Sequence, residues 1–196
     1  MVNIMKIEGL KDGRTVTVRE LTLKDVDHSH RFFMDLPAED RKYLRVDVTR
    51  RELVEHRIQE SVEGGTYRLV ALVNDRVVAD GALEFSGEGW RRNTGEIRVI
   101  VAQEYQHLGL GQKLIGALFR TAQQKGVEKV VAKMASPQTR ARKILERLGF
   151  HVDSVIPDYI KDVDGNVHSM VVMSCTLDEM SRELKGFYRT DHWPDG

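Results

Sequence analysis

The sequence predicts an α/β (α+β) fold, on three observations. Strand-like runs and helix-like stripes are interleaved along the chain instead of being grouped. Two such runs, Tyr67 to Val73 and Arg76 to Phe85, are separated only by Asn74-Asp75, the signature of a tight hairpin. The β-branched run Ile97, Val99, Ile100 and Val101 passes through a short polar stretch into an amphipathic stripe of Leu110, Leu114, Leu118 and Ala122, widened by Ile115 and Phe119. Gly109 and Gly111 stand at that junction.

The elements follow in order. Residues 1–13 read as an extension or a short edge strand. Arg14 to Leu21 alternates as a strand, and Thr22 is placed to cap a helix over Asp25 to Asp35. Pro37 starts a turn or short helix that ends near Arg45. Thr49 is the next cap candidate, for a helix carrying Leu53, Val54, Ile58 and Val62 and stopped by Gly64-Gly65. After the hairpin, Ser86 to Thr94 is a polar loop; the central strand and helix follow, and Gly126 ends that helix. Val127 to Lys133 is a strand, and Gln138 to Leu148 a helix with Ala141, Ile144, Leu145 and Leu148 inward, ended by Gly149. Phe150 to Ile156 and Val167 to Leu177 make a last strand pair around Asp164-Gly165. Asp178 to Lys185 reads as helical, and the tail with Trp193-Pro194 as loosely ordered.

A chain of 196 residues with 41% hydrophobic residues can bury one sizeable core, and no linker or repeat divides it. The expected division is an extension (1–13), one domain (14–177) and a tail (178–196). Thirty basic and thirty acidic residues balance, so neither nucleic acid nor an anionic membrane is the expected partner. No long apolar run predicts a membrane span or a signal segment. The single cysteine, Cys175, lies in a strand-like run; it reads as a packed thiol, and with no disulfide to form it fits a reducing, cytoplasmic setting.

The strand, glycine turn and helix suggest an anion cradle. The first turn of a helix has N–H groups without intrahelical partners and the positive end of the dipole, and glycine lets a diphosphate approach. Two familiar phosphate motifs do not fit. Gly111 is followed by Gln112 and Lys113 instead of Lys and Ser/Thr, and the third glycine of a dinucleotide fingerprint is replaced by Leu114. A plain tight turn is the remaining alternative. The longer pattern Gln106-His107-Leu108-Gly109-Leu110-Gly111, set between strand and helix, resembles the coenzyme A signature of the GNAT superfamily of N-acetyltransferases. The element order from Arg14 to Leu177 and the Leu148-Gly149-Phe150 helix end are similar to that family too. The stretch from Arg31 to Arg45 with GEIRVIV is most similar to the bacterial Pat-type protein lysine acetyltransferases.

The resemblance implies a mixed sheet of about six to seven strands, splayed at the acetyl-CoA site and flanked by about four helices. It implies that main-chain groups of Val99, Ile100 and Val101 hold the pantetheine arm, that an N–H near Ile100 receives the oxyanion, and that Gln106, His107, Leu108, Gly109, Leu110, Gly111 and Gln112 form the diphosphate cradle, His107 by its backbone. It implies Glu96 as general base, for a lysine ammonium of pKa about 10.4 has no lone pair to attack with. The alternative for Glu96 is a solvated carboxylate beside Arg98. The tyrosine that protonates the leaving thiolate in many relatives is replaced by Leu145. Tyr159 is a substitute, or coenzyme A leaves as the thiolate, since thiols ionise near 8.5. Trp90, Arg91, Arg92, Phe33 and Tyr43 are candidates for the substrate cleft, and Arg140, Arg142, Lys143 and Arg147 form a basic helix face. His28 and His30 lack companion ligands, so no metal is expected.

Three functions follow. The first is acetyl transfer from acetyl-CoA to a primary amine, a protein lysine or a small amine. The second is a GNAT module that binds coenzyme A or a partner without turnover. The third, weakest, is nucleotide binding. The resemblance also allows a homodimer paired through the last strands.

Overall fold

The computed structural model describes residues 4–7, 9–85 and 89–190. Eight strands form one sheet: β1 (Ile4–Ile7), β2 (Val16–Glu20), β3 (Thr66–Val73), β4 (Arg76–Phe85), β5 (Thr94–Val101), β6 (Lys129–Ala135), β7 (His151–Lys161) and β8 (Val167–Thr176). Their spatial order is β1-β2-β3-β4-β5-β6-β8-β7. All pairings are antiparallel except β5 with β6. The helices are α1 (Val26–Asp35), α2 (Ala38–Arg41), α3 (Arg51–Glu63), α4 (Leu110–Gln124), α5 (Thr139–Arg147) and α6 (Leu177–Thr190).

The segments flanking the expected domain join the same body. β1 pairs with β2, and α6 sends Met180 and Leu184 into the core. The tail with Trp193-Pro194 lies outside the described residues.

The strand period of two sorts side chains to two faces. On one face Val16, Val18, Leu69, Leu83 and Ile97 meet Leu110, Leu114 and Leu118 of α4 and Leu145 and Leu148 of the α5 segment. On the other, Val70, Leu72 and Val77 meet Phe32 and Phe33 of α1 and Val54 and Ile58 of α3. Helix α4 lies close on β4 because position 81 has no side chain: a Cβ there would sit 2.9 Å from Leu114 Cγ.

Several local expectations are corrected. Thr49 does not cap α3; its hydroxyl donates to Asp47 at 2.5 Å and the helix starts at Arg51. Val62 and Ile144 complete an apolar period but are exposed, while Ala141 and Leu145 of α5 pack on the core as expected. β7 runs on through a break in register to Lys161, so the turn at its end is closed by Asp162 and Asn166.

Entry into α1 is fixed by charge. Asp25 is buried, and its carboxylate accepts two bonds from Arg19 of β2, at 2.8 and 2.6 Å, and the Thr22 N–H at 2.8 Å. Burial alone would raise its pKa; the bonds from Arg19 and Thr22 outweigh it and hold the group at about 2.

Two outcomes are expected. Gly81→Ala lowers stability by about 1–3 kcal/mol through overpacking, read from the urea midpoint, and Leu114→Val in the same chain recovers part of the loss. Because the folded carboxyl of Asp25 ionises below its ordinary range, its contribution is complete above about pH 4 and is lost as pH falls from about 4 toward 2. Asp25→Asn therefore removes that part of the acid-unfolding curve while lowering stability near neutrality.

Candidate active site

β5 and β6 pair only at Thr94 with Lys129, Gly95 with Val130 and Glu96 with Val131. Both strands continue, β5 to Val101 beside β4 and β6 to Ala135 beside β8, but no longer pair with each other. The sheet therefore forks directly after Glu96.

The groups facing the fork follow from the alternation of the ladder. The Ala102 N–H donates to the Val78 carbonyl at 2.9 Å, so the even residues of β5 turn their main chain toward β4. At the other end the Asn93 carbonyl accepts from the N–H groups of Glu128 and Lys129, so the odd residues turn toward β6. The main chains of Val99 and Val101 thus face the gap. Of the N–H groups near Ile100 expected at the oxyanion, that of Ile100 itself turns toward β4, where the residue pairs with Asp80, and those of Val99 and Val101 face the gap. The Gln106 amide donates to the Val101 carbonyl at 3.1 Å, which leaves the Val99 N–H and C=O and the Val101 N–H open to the fork.

The cradle stands at the end of the same strand. His107 (φ 64°) and Gly109 (φ 85°) are left-handed and flank Leu108, an alternation that converges successive N–H groups into an anion-binding nest. Gly109 caps α4, whose first N–H groups, at Leu110, Gly111 and Gln112, precede the first intrahelical bond from Lys113 to Gly109. The Leu110 side chain is wholly buried and anchors this end, while Gly111 leaves ordinary contact room beside Val101.

Glu96 lies on the opposite face from α4, on the α1 and α3 side. Its carboxylate is 13% exposed and takes one cation on each oxygen, Lys133 Nζ at 2.8 Å and the Arg45 guanidinium. It is neither solvated nor beside Arg98, which pairs instead with Glu84. Arg45 also lies 3.9 Å from Glu84, so Arg98, Glu84, Arg45, Glu96 and Lys133 form one chain of alternating charge. Deeper on this face Arg68 and Asp80 make a buried pair at 3.1 Å. Burial pushes the Arg98 guanidinium down to about 9, helped by the neighbouring charges of Arg45, Arg68 and Arg57. The Nε atoms of Arg68 and Arg98 are buried without a hydrogen-bond partner.

Other candidates do not gather here. Phe33 is a core residue under α3, Trp90 is fully exposed, and Arg91 and Arg92 point to solvent. Tyr159 is exposed on β7, which β8 separates from the fork, so it is no substitute acid. Leu145 is buried in the core. Tyr43 does approach the site: its ring meets His168 of β8 edge-on at 5.6 Å, helping to hold the segment that carries Arg45. Burial pushes the Cys175 thiol up to about 11, which suits packing and not nucleophilic attack. A cavity of about 360 Å³ opens between the end of α1 and Ala102 to Glu104, apart from the fork. Among the described residues no three His, Cys, Asp or Glu side chains converge as metal ligands, and no helix is long and apolar enough to cross a membrane.

A fork in the sheet beside an N–H nest defines the class. The model of the acetyltransferase (GNAT) family matches residues 25–150, and the chain belongs to that family. The acetyltransferase Pat of Mycolicibacterium smegmatis is 36% identical over 73 residues, which is 37% of this chain and 21% of that protein. The chain thus spans about a fifth of the length of the curated relative it matches. Among solved structures, the GNAT domain of S. lividans PAT superposes with a TM-score of 0.73 at 16% identity, covering 88% of this chain and 96% of that one. The yncA protein of Salmonella typhimurium, solved with acetyl-CoA, superposes with a TM-score of 0.67 at 22% identity, covering 83% and 94%.

Gly109→Val should weaken coenzyme A binding by about tenfold or more, since a β-branched residue resists a left-handed φ; calorimetry reads the affinity, and an unchanged thermal midpoint separates this from unfolding.

Proposed function

We propose that this chain transfers acetyl from acetyl-CoA to a primary amine, a protein lysine in first place and a small amine in second. The observation that carries the reading is the fork, which offers unpaired main chain at Val99 and Val101 in line with the nest at residues 107–112. The pantetheine amides are strand-like and fit the first; the diphosphate fits the second. The partial likeness to Pat supports a protein lysine as acceptor.

Glu96, at the point where the strands part, is the base. It takes a proton from the acceptor ammonium, directly or through one water. The freed lone pair forms the C–N bond to the thioester carbon. The carbonyl oxygen becomes an oxyanion, received by the fork-facing N–H of Val99 or Val101. The C–S bond then breaks, coenzyme A departs as the thiolate, and the amide nitrogen loses its second proton to water. No side-chain acid is needed at Leu145, because a thiolate is a tolerable leaving group.

Residues 14–177 form the catalytic domain, and the free thiol of Cys175 accords with a reducing, cytoplasmic setting. The exposed Val155, Ile156 and Tyr159 of edge strand β7 support pairing of two copies through that strand. One observation favours a second reading, a module that binds coenzyme A without turnover: both oxygens of Glu96 are occupied by cations.

Thiol release from acetyl-CoA, followed with lysine-bearing proteins and with small amines, separates the two readings. Glu96→Gln is expected to lower kcat by about 10²- to 10³-fold with coenzyme A affinity unchanged. Full activity in that variant removes Glu96 as base, and an acceptor-independent silence of the native chain favours the binding module.

A further inference from the structure

Glu84 and Glu96 are directly opposite residues of the β4–β5 ladder, and both pair with cations on the α1 and α3 face. Two like charges placed so repel each other and need a cation between them. Arg45 supplies it, bonded to Glu96 and 3.9 Å from Glu84. The other two cations of the chain differ from it in kind. Arg98 and Lys133 stand on β5 and β6 and are fixed by the sheet. Arg45 comes from the segment between α2 and α3, which has no regular structure, and its side chain is 40% exposed. The backbone of that segment is held to the body by Val48 in the core, by Leu44 and Val46 packed against it, by Tyr43 against His168 and by the Thr49 carbonyl, which His30 Nε2 meets at 2.9 Å, so the Arg45 side chain alone is free to swing.

We propose that Glu84 and Glu96 together form the seat of the acceptor's ammonium, and that Arg45 occupies this seat as an internal stand-in which the acceptor displaces. The inference rests on the acetyl-transfer reading above and names the form in which the acceptor arrives, a cation and not a neutral amine. The exchange conserves charge. With Arg45 in place, three cations face two carboxylates; with Arg45 swung out, Arg98–Glu84 and Lys133–Glu96 are neutral pairs, and an incoming ammonium restores the alternation. The seat lies beside the point where the strands part, so a cation held there has its nitrogen next to the base. Glu84 is then an acceptor-binding residue, a role separate from proton transfer.

Two measurements test this. The first is the steady-state kinetics of acetyl transfer to poly-L-lysine, with KM and kcat taken apart. Arg45→Ala is expected to lower KM by about tenfold, because a competing internal cation is removed. Glu84→Gln is expected to raise KM by about tenfold with a smaller effect on kcat, Glu84→Asp recovering part of it, and acetyl-CoA affinity is unchanged in all three. The second is calorimetric binding of n-pentylammonium to the native chain and the same variants, which needs no turnover. Affinity should rise in Arg45→Ala and fall in Glu84→Gln. If the native chain transfers no acetyl but these affinities shift as stated, the seat stands and the acetyl-transfer reading falls. If Arg45→Ala leaves both KM and n-pentylammonium affinity unchanged or worse at an unaltered thermal midpoint, the stand-in is overturned. If Glu84→Gln leaves both unchanged, Glu84 is not part of the seat.

Discussion

The structure depends on a pairing that stops. β5 and β6 lie side by side for three residue pairs and then diverge, although each remains bonded to its other neighbour. Buried main-chain groups left without partners are costly, so a fold keeps such a gap only where something fills it. Here β4 and β8 hold the two arms apart from outside. α4 starts at the mouth and packs back across β3 to β5, and Gly81 lets it come close enough to seal that face. The apolar core and the empty fork are thus one design. Filling the fork with a third strand would satisfy the ladder and abolish the site.

The charges on the other face obey a similar logic. An alternating chain of five groups satisfies both oxygens of Glu84 and of Glu96 in the absence of any ligand. In the proposed exchange the group that leaves and the group that arrives carry the same charge. Burial already lowers the pKa of Arg98 to about 9, which marks this face as short of water to share charge with. In such surroundings exchange of one cation for another costs far less than removal of one.

Much of this was legible in the sequence where the signal is local. The β-branched run, the glycines and the amphipathic stripe gave the strand, nest and helix because each is written in consecutive residues. The Asn74-Asp75 hairpin was legible for the same reason, both residues adopting positive φ. What escaped is nonlocal. Nothing in residues 150–177 says that β8 inserts beside β6 and leaves β7 at the edge. Arg45 and Lys133 carry no sequence mark tying them to Glu96, and the long 86–93 connection hides the register that sets Glu84 opposite it. Val62 and Ile144 show the reverse error, apolar positions in a helical period that the fold leaves exposed. Which N–H near Ile100 faces the fork was not legible, because motif spacing counts residues, whereas orientation depends on the parity of the ladder.

That parity bears on how the reaction ends. Val99 and Val101 face the fork with their main chains, but their side chains lie toward α4, while Glu96 and Ile100 project from the opposite face. One strand thus separates two sets of groups by alternation alone: main-chain groups of Val99 and Val101 face the fork, and the side chains of Glu96 and Ile100 lie on the face away from α4, which in the proposed reaction gives the thioester the first set and the amine the second. A proton donor for the sulfur would have to come from the α4 and α5 side. There Leu145 and its neighbours form packed core. An apolar wall disfavours a charged thiolate that lingers, so it favours departure of coenzyme A toward the positive end of α4 once the C–S bond has broken. Leu145 is then consistent with a reaction that ends by release, with the sulfur taking its proton from water outside the fork.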